Sequence, residues 1–469
     1  MRLGVAESDF RATSLVQAKA DLTLARLAGF DSLRYTAIAW PDVSEPDDGT
    51  LGRIGNVASA ARLNGLRMYL AVYDYGSSVT PLSDDRQDAF ASYTAAIARS
   101  VPYIHDFIIG NEPNLNQFWL PQFNDDGSDA AAPAYETLLA KTYDALKGVS
   151  PTIRVVGGAL APRGADNPDA QSQSHSPITF IRDLGIAYQE SGRAKPIMDA
   201  FAIHPYEQNS SQPPSTRNTG SGNKSIAIAD YGKLVAALGA AFDGTGQLGS
   251  TLPIVYGEFG VEAQIPAAKK GKYTDAEPAS VKAVPQSTQA AYYRQALQIA
   301  YCQPNVQAMF IFHLFDEKSL KRWQSGLYYV DRTPRPATLA AIKTATAQAR
   351  RGVLARCPGL VLIPRVQRLV WTRGHVSPGK PVTFRLQCSI DCAFTAKVVS
   401  SRGATASRFS GRIVAKTLTS IRVRAKLRPG AYRLLVSLVA PLNPGKPVNL
   451  RSPFFSIPKT KTKTKPKPS

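Results

Sequence analysis

Eight short apolar runs alternate with eight stretches of helical spacing between Leu3 and Ala349, and no other feature of the chain limits its fold so tightly. The runs predict strands at Leu3–Ala6, Ser32–Trp40, Met68–Val72, Phe107–Ile109, Ile153–Gly157, Met198–His204, Leu252–Tyr256 and Gln307–Phe312. After each of them, Leu, Ala and Val recur at helical intervals, as in Ser14–Ala28 and Asp84–Ser100. Strict alternation over this length predicts a closed parallel (β/α)8 barrel, a TIM barrel, because each crossover helix returns the chain to run parallel with the strand before. In that architecture chemistry collects at the carboxyl ends of the strands. Glu7, Arg34, Trp40, Asp74, Glu112, Tyr206, Glu258 and His313 all fall on or just after a predicted strand, so they are expected at one mouth.

Two of these share a design. Phe107, Ile108 and Ile109 form an apolar run that breaks at Gly110 into Asn111-Glu112-Pro113. Leu252–Gly260, LPIVYGEFG, is a second apolar run that ends in a carboxylate, Glu258. A carboxylate at the end of a buried strand is held at a rim instead of on a solvated face. Two glutamates on two strands are what acid-base cleavage of a glycosidic bond requires. The five His are scattered without ligand spacing, and Gly157-Gly158 is not followed by the Gly-Lys-Ser/Thr of a phosphate loop. The reading therefore calls for no metal and no cofactor.

From Pro358 the pattern changes to short alternating segments, Pro381–Gln387, Ala393–Val399, Ser420–Ala425, Tyr432–Val439 and Pro453–Ile457, separated by turn signals such as SPGK and NPGK. They predict a small all-β, immunoglobulin-like sandwich over 358–457, after a barrel domain over 1–357. The Lys/Thr/Pro run over 458–469 is expected to be a disordered tail. Charge divides at the same place. Pro358–Ser469 holds 22 Lys and Arg against one acid, Asp391, so of the 56 basic and 35 acidic residues in the chain the part before Pro358 keeps 34 of each. A neutral barrel joined to a cationic sandwich predicts that the sandwich meets a polyanion, an anionic cell-wall polymer or an acidic polysaccharide. It has few aromatics to stack on bases and no nucleic-acid motif, which argues against a specific nucleic-acid partner. No apolar run is long enough for a transmembrane span. Four cysteines suggest two bridges, Cys388–Cys392 within CSIDC and Cys302–Cys357 at the ends of the last two barrel helices. The expectation is a secreted or cell-envelope protein, a monomer, whose leader is absent from this numbering.

The barrel motifs also resemble a known group. Asn111-Glu112-Pro113 with the longer NEPNLNQFW, Gly257-Glu258-Phe259, VVGGALAP and AIHPY are similar to the signatures of the clan A retaining glycoside hydrolases. The likeness is to families 39 and 5, the latter cellulase-like, and it covers the barrel but not the sandwich. It implies that Glu112 is the acid/base and Glu258 the nucleophile, with Asn111 donating to a sugar 2-hydroxyl. Arg34 and Tyr206 are expected beside Glu258, and His204 to orient the site. Trp40, Trp119 and Trp323 are candidate stacking platforms for a carbohydrate substrate. Phe312-His313-Leu314-Phe315 stands where many relatives place a Trp, which leaves the sugar preference open, and His313 is a further candidate contact. Asp74, Asp316 and Glu317 are weaker candidates for holding hydroxyls. The expected function is cleavage of a polysaccharide or oligosaccharide by double displacement. The alternatives are a non-catalytic carbohydrate-binding barrel and a cell-envelope-binding protein that acts through its cationic domain.

Overall fold

The structure, a computed structural model, describes residues 1–7, 14–220, 222–371, 374–378, 380–423 and 427–459. The tail expected to be disordered lies, from residue 460 onward, outside the described residues. The chain forms two compact units, Met1–Thr346 and Ala347–Ser469.

The first unit is the expected barrel. Its elements are β1 (Arg2–Ala6), α1 (Leu15–Leu27), β2 (Ser32–Ala39), α2 (Asp48–Leu63), β3 (Arg67–Asp74), α3 (Asp84–Ser100), β4 (Asp106–Ile109) and α4 (Ala131–Val149). They continue as β5 (Arg154–Leu160), α5 (Pro177–Glu190), β6 (Ala200–Ile203), α6 (Tyr231–Phe242), β7 (Ile254–Phe259), α7 (Gln286–Tyr301), β8 (Val306–Phe312) and α8 (Pro336–Arg351). The eight strands are hydrogen-bonded in chain order, and β1 closes on β8 in parallel. Local chemistry starts several of the helices. The side chains of Ser14, Asp47, Ser83 and Ser176 each accept from a backbone N–H in the first turn of α1, α2, α3 and α5, satisfying donors that a helix leaves open. The Asp47 cap sets the start of α2 at Asp48.

Small side chains fill the barrel interior. Ala6, Ala71, Ala200, Ala202 and Ala308 are buried there beside Ile108, Val156 and Val255, and Tyr69 packs edge-on against Phe310 with centroids 5.0 Å apart. Space runs out at Gly158, whose φ is +84° and where an added Cβ would stand 2.7 Å from both the Ala202 carbonyl oxygen and the Phe201 ring. Gly158→Ala is expected to cost roughly 2–4 kcal/mol, since the clash and the left-handed backbone are penalised together. Urea unfolding measures it; a midpoint equal to the parent's would contradict this account of the close approach.

The second unit holds β9 (Val366–Val370), β10 (Gly374–His375), β11 (Val382–Cys388), β12 (Cys392–Ser400), β13 (Thr405–Ile413), β14 (Thr419–Val423), β15 (Gly430–Val439), β16 (Val448–Arg451) and β17 (Phe455–Ile457). One sheet runs β10-β17-β15-β12-β13, with β16 also on β15, and the other runs β14-β11-β9. Both contribute to one core that includes Phe384, Leu386, Phe394, Val398, Leu434 and Val436. Cys388 and Cys392 are bridged across the tight turn between β11 and β12. No cysteine is free. No helix among the described residues is long and apolar enough to cross a membrane.

Candidate active site

At the carboxyl end of β4 the backbone turns sharply. Gly110 has φ +84° and Glu112 φ +44°, a left-handed conformation that a non-glycine residue adopts only when its surroundings impose it. The restraint comes from β5 and α4. The Glu112 N–H donates to the Ala159 carbonyl at 2.8 Å, and Ala159 lies in the bulge that shifts the register between Gly158 and Leu160. The Tyr135 hydroxyl of α4 donates to the Ile109 carbonyl at 2.6 Å and accepts from the Gly158 N–H at 2.8 Å, tying the ends of both strands together. Fully buried Asn114 accepts from the Ala161 N–H and donates to the His175 carbonyl, both at 2.9 Å, so the NEPN turn is locked to the loop after β5.

Glu258, near the end of β7, is surrounded differently. Arg34 on β2 donates from Nη1 to Glu258 Oε1 at 2.8 Å, and the Tyr206 hydroxyl donates to Oε2 at 2.9 Å. His204, directly after β6, is within reach of both glutamates. Its Nδ1 lies 3.0 Å from Glu112 Oε1 and 3.7 Å from Glu258 Oε2, so these two oxygens lie within the sum of those distances, 6.7 Å, of each other. Burial pushes the Glu258 carboxyl upward, but the His204 and Arg34 charges and the Tyr206 hydrogen bond outweigh it and hold the group below its ordinary value. Burial, reinforced by the two glutamate charges, pushes the Tyr206 hydroxyl well up, so it remains a donor. Asn111 Oδ1 accepts from Arg34 Nη2 at 3.2 Å, which leaves the Asn111 amide as the donor on the cavity side.

These groups surround a cavity of about 670 Å³, lined by Asn111, Glu112, Tyr206, Glu258, His313 and Trp323 among others. The Trp323 ring packs at a tilt against Tyr206 with centroids 4.9 Å apart and meets Phe312 edge-on at 5.4 Å, giving an aromatic wall beside the carboxylates. His313 has Nδ1 3.3 Å from Glu7 Oε1, and although burial opposes its charged form, Glu7 raises its pKa above the ordinary value. Glu317, Glu207 and Glu262 also line the cavity, and burial pushes the last two up to about 8 and about 7.

Arg34 and His204 stand beside the glutamates, but at 1% and 0% exposed they do not line the cavity. Trp40 is off the cavity: directly after β2, it is half-exposed and stacks on Tyr75 at 4.4 Å. Asp74 lies beside it, its carboxyl pushed up to about 7 by burial. Trp119 is buried against Tyr135, and Asp316 is buried in an ion pair with Arg335 at 2.5 Å. Tyr135 and Asn114 carry positioning roles that motif reading missed; that NEPN and VVGGALAP end consecutive strands was the available hint. Among the described residues no group of three or more His, Cys, Asp or Glu is arranged to hold a metal ion.

No family model and no curated protein matches the chain. Solved structures do. A GH5_18 protein from Streptomyces cattleya, solved with GlcNAc, matches with 15% identity and a TM-score of 0.51 over 81% of this chain and 84% of that one. A monomeric beta-xylosidase from Caulobacter crescentus matches at 14% identity and TM-score 0.48 over 93% and 96%. A Bacteroides uniformis beta-glucuronidase matches at 13% identity and TM-score 0.44; 97% of this chain is covered, yet it spans only 45% of that one. At 15% identity the likeness to the GH5_18 protein is one of fold alone.

Proposed function

We propose that the barrel is a retaining β-glycoside hydrolase acting on O-linked sugars of a polysaccharide or oligosaccharide. One observation carries the reading: Glu112 and Glu258, from two separate strands, face one cavity while a single His204 nitrogen reaches both. An upper limit of 6.7 Å between the nearest-held oxygens favours the close carboxylate pair of a retaining enzyme, about 5–5.5 Å, over the wider inverting pair. The surroundings divide the roles. Glu258, kept ionised by Arg34 and Tyr206, attacks the anomeric carbon as the bond to the leaving oxygen breaks. Glu112 gives that oxygen its proton. The resulting glycosyl ester on Glu258 is then displaced by water, which Glu112 deprotonates, so the sugar leaves with its original configuration and both carboxyls are restored. Asn111 donates to the 2-hydroxyl, and Trp323 stacks under the ring.

The cationic second unit is read as the part that holds the protein on an anionic polymer, and the protein as a secreted monomer; the absence of free cysteines supports an oxidising compartment. The test of activity is a panel of aryl β-glycosides followed by proton NMR of the first-formed sugar. β-Configured product is expected from a β-substrate. Product of inverted configuration would remove the double displacement, and no turnover on any member would favour a non-catalytic sugar-binding barrel.

A further inference from the structure

The sheet pairing sorts the positive charge of the second unit by face. Along β12, Phe394, Ala396 and Val398 point into the core, so Thr395 and Lys397 point out. On β15 the outward residues are Arg433, Leu435 and Ser437, and on β13 they are Arg408, Ser410 and Arg412. Register then aligns them across four strands. Arg451 of β16 is opposite Leu435, Leu435 opposite Lys397, and Lys397 opposite Arg408, which makes one row of three cations. Arg412 lies four residues along β13, about 14 Å from Arg408, and Arg433 caps the other end of the face with its guanidinium over Phe454 at 5.1 Å. Phe454 is itself half-exposed.

Two facts make this arrangement hard to explain by folding alone. Lys397 and Arg408 are directly opposed like charges, which destabilise an antiparallel pair. The only acid between Pro358 and Ser469, Asp391, is taken by Arg351, whose Nη2 lies 2.7 Å away, and cannot relieve them. An external anion can.

We propose that the outer face of the β16-β15-β12-β13 sheet is a docking surface for a linear acidic polysaccharide bearing carboxylates. This deepens the polymer-binding reading above and rests on it. The face is a sheet of bristles with Ser, Thr and Asn between the cations, so it suits an extended chain crossing several charges. A single aromatic, Phe454, offers a stacking position for a sugar ring and is too little for successive bases.

The test is retention of the full chain on polygalacturonate beads across 50–300 mM salt, with methyl-esterified beads and a DNA duplex as comparison arms. Combining Lys397→Gln, Arg408→Gln and Arg412→Gln is expected to weaken binding about fivefold per cation, on the order of 100-fold in all. The matched triple on the other sheet, Arg368→Gln, Arg385→Gln and Arg422→Gln, is expected to weaken it less than threefold. Retention is expected to fall steeply as the Debye length contracts from about 10 Å at 0.1 M salt. Equal loss from both triples, equal retention on the methyl ester, or tighter holding of DNA at the same salt would each overturn the proposal. If the triple variant lowers Tm, Arg412→Gln alone, opposite Ala393, replaces it with an expected fivefold loss. Turnover of a soluble aryl glycoside is expected to be unchanged in all variants, and because retention is read without turnover, failure of the glycosidase reading is seen separately.

Discussion

Glu258→Ala is expected to lower kcat/KM on an aryl β-glycoside on the order of 10⁴–10⁶-fold, as removal of a nucleophile does elsewhere. The carboxylate is the only group that the proposed mechanism allows to attack the anomeric carbon, and Arg34 and Tyr206 hold it ready on its two oxygens. Sodium azide is expected to restore part of the rate by entering the space the side chain leaves, and the product is then the α-glycosyl azide. Glu112→Ala is expected to behave differently. The loss, on the order of 10²–10⁴-fold, falls on substrates with poor leaving groups, whereas a dinitrophenyl glycoside that needs no proton is still cleaved to the ester. Azide then attacks that ester and gives the β-product. If the Glu112 variant instead gave the α-azide, the roles would have to be exchanged. Mass spectrometry of the azide adducts and NMR of their anomeric protons decide it.

Arg34→Met is expected to cost about 10²–10³-fold in kcat/KM at pH 6 and to move the acid limb of its pH profile upward. The sign follows from burial. Desolvation alone raises the Glu258 carboxyl, and the charges of His204 and Arg34 with the Tyr206 hydrogen bond bring it below the ordinary value. Attack requires the ionised form, so activity in the parent persists below the ordinary carboxylate pKa and is lost only as pH falls through the lowered value. Without the guanidinium the carboxyl rises, and the variant loses activity at a higher pH. Arg34 also donates to Asn111, so Met leaves two acceptors without a donor and some stability is lost with it. Arg34→Lys keeps a charge but cannot reach both partners in the same planar geometry; its limb is expected to move less than that of Met while kcat still falls. A profile for Arg34→Met that drops in height without moving along the pH axis would mean that Arg34 only packs the site.

The barrel was legible because its signals are local and repeat. Each strand is a short apolar run, each helix keeps an apolar stripe, and several helices open on a Ser or Asp cap, so independent segments agree on one topology. The sandwich was only partly legible. β13, Thr405–Ile413, escaped notice because its outward residues are Ser and Arg and its inward ones include Gly411, so its strand character comes from pairing with β12. β9 and β16 are short edge strands with the same difficulty.

By itself the sequence determined the eightfold alternation, the two glutamates at strand ends, and the confinement of positive charge to the residues after Cys357. These depend on residue order and composition alone. Tertiary structure decided what each group faces. His204 and Trp40 both stand just past a strand end, yet His204 lies behind the carboxylates with Arg34 of β2, and Trp40 turns to Tyr75 outside the cavity. Strand-end position cannot distinguish these outcomes, because neighbouring residues on one strand point to opposite sides and the barrel's stagger sets which of them meet. The same holds for the charge: composition counts cations, but only the register of β13, β12, β15 and β16 brings Arg408, Lys397 and Arg451 into one row.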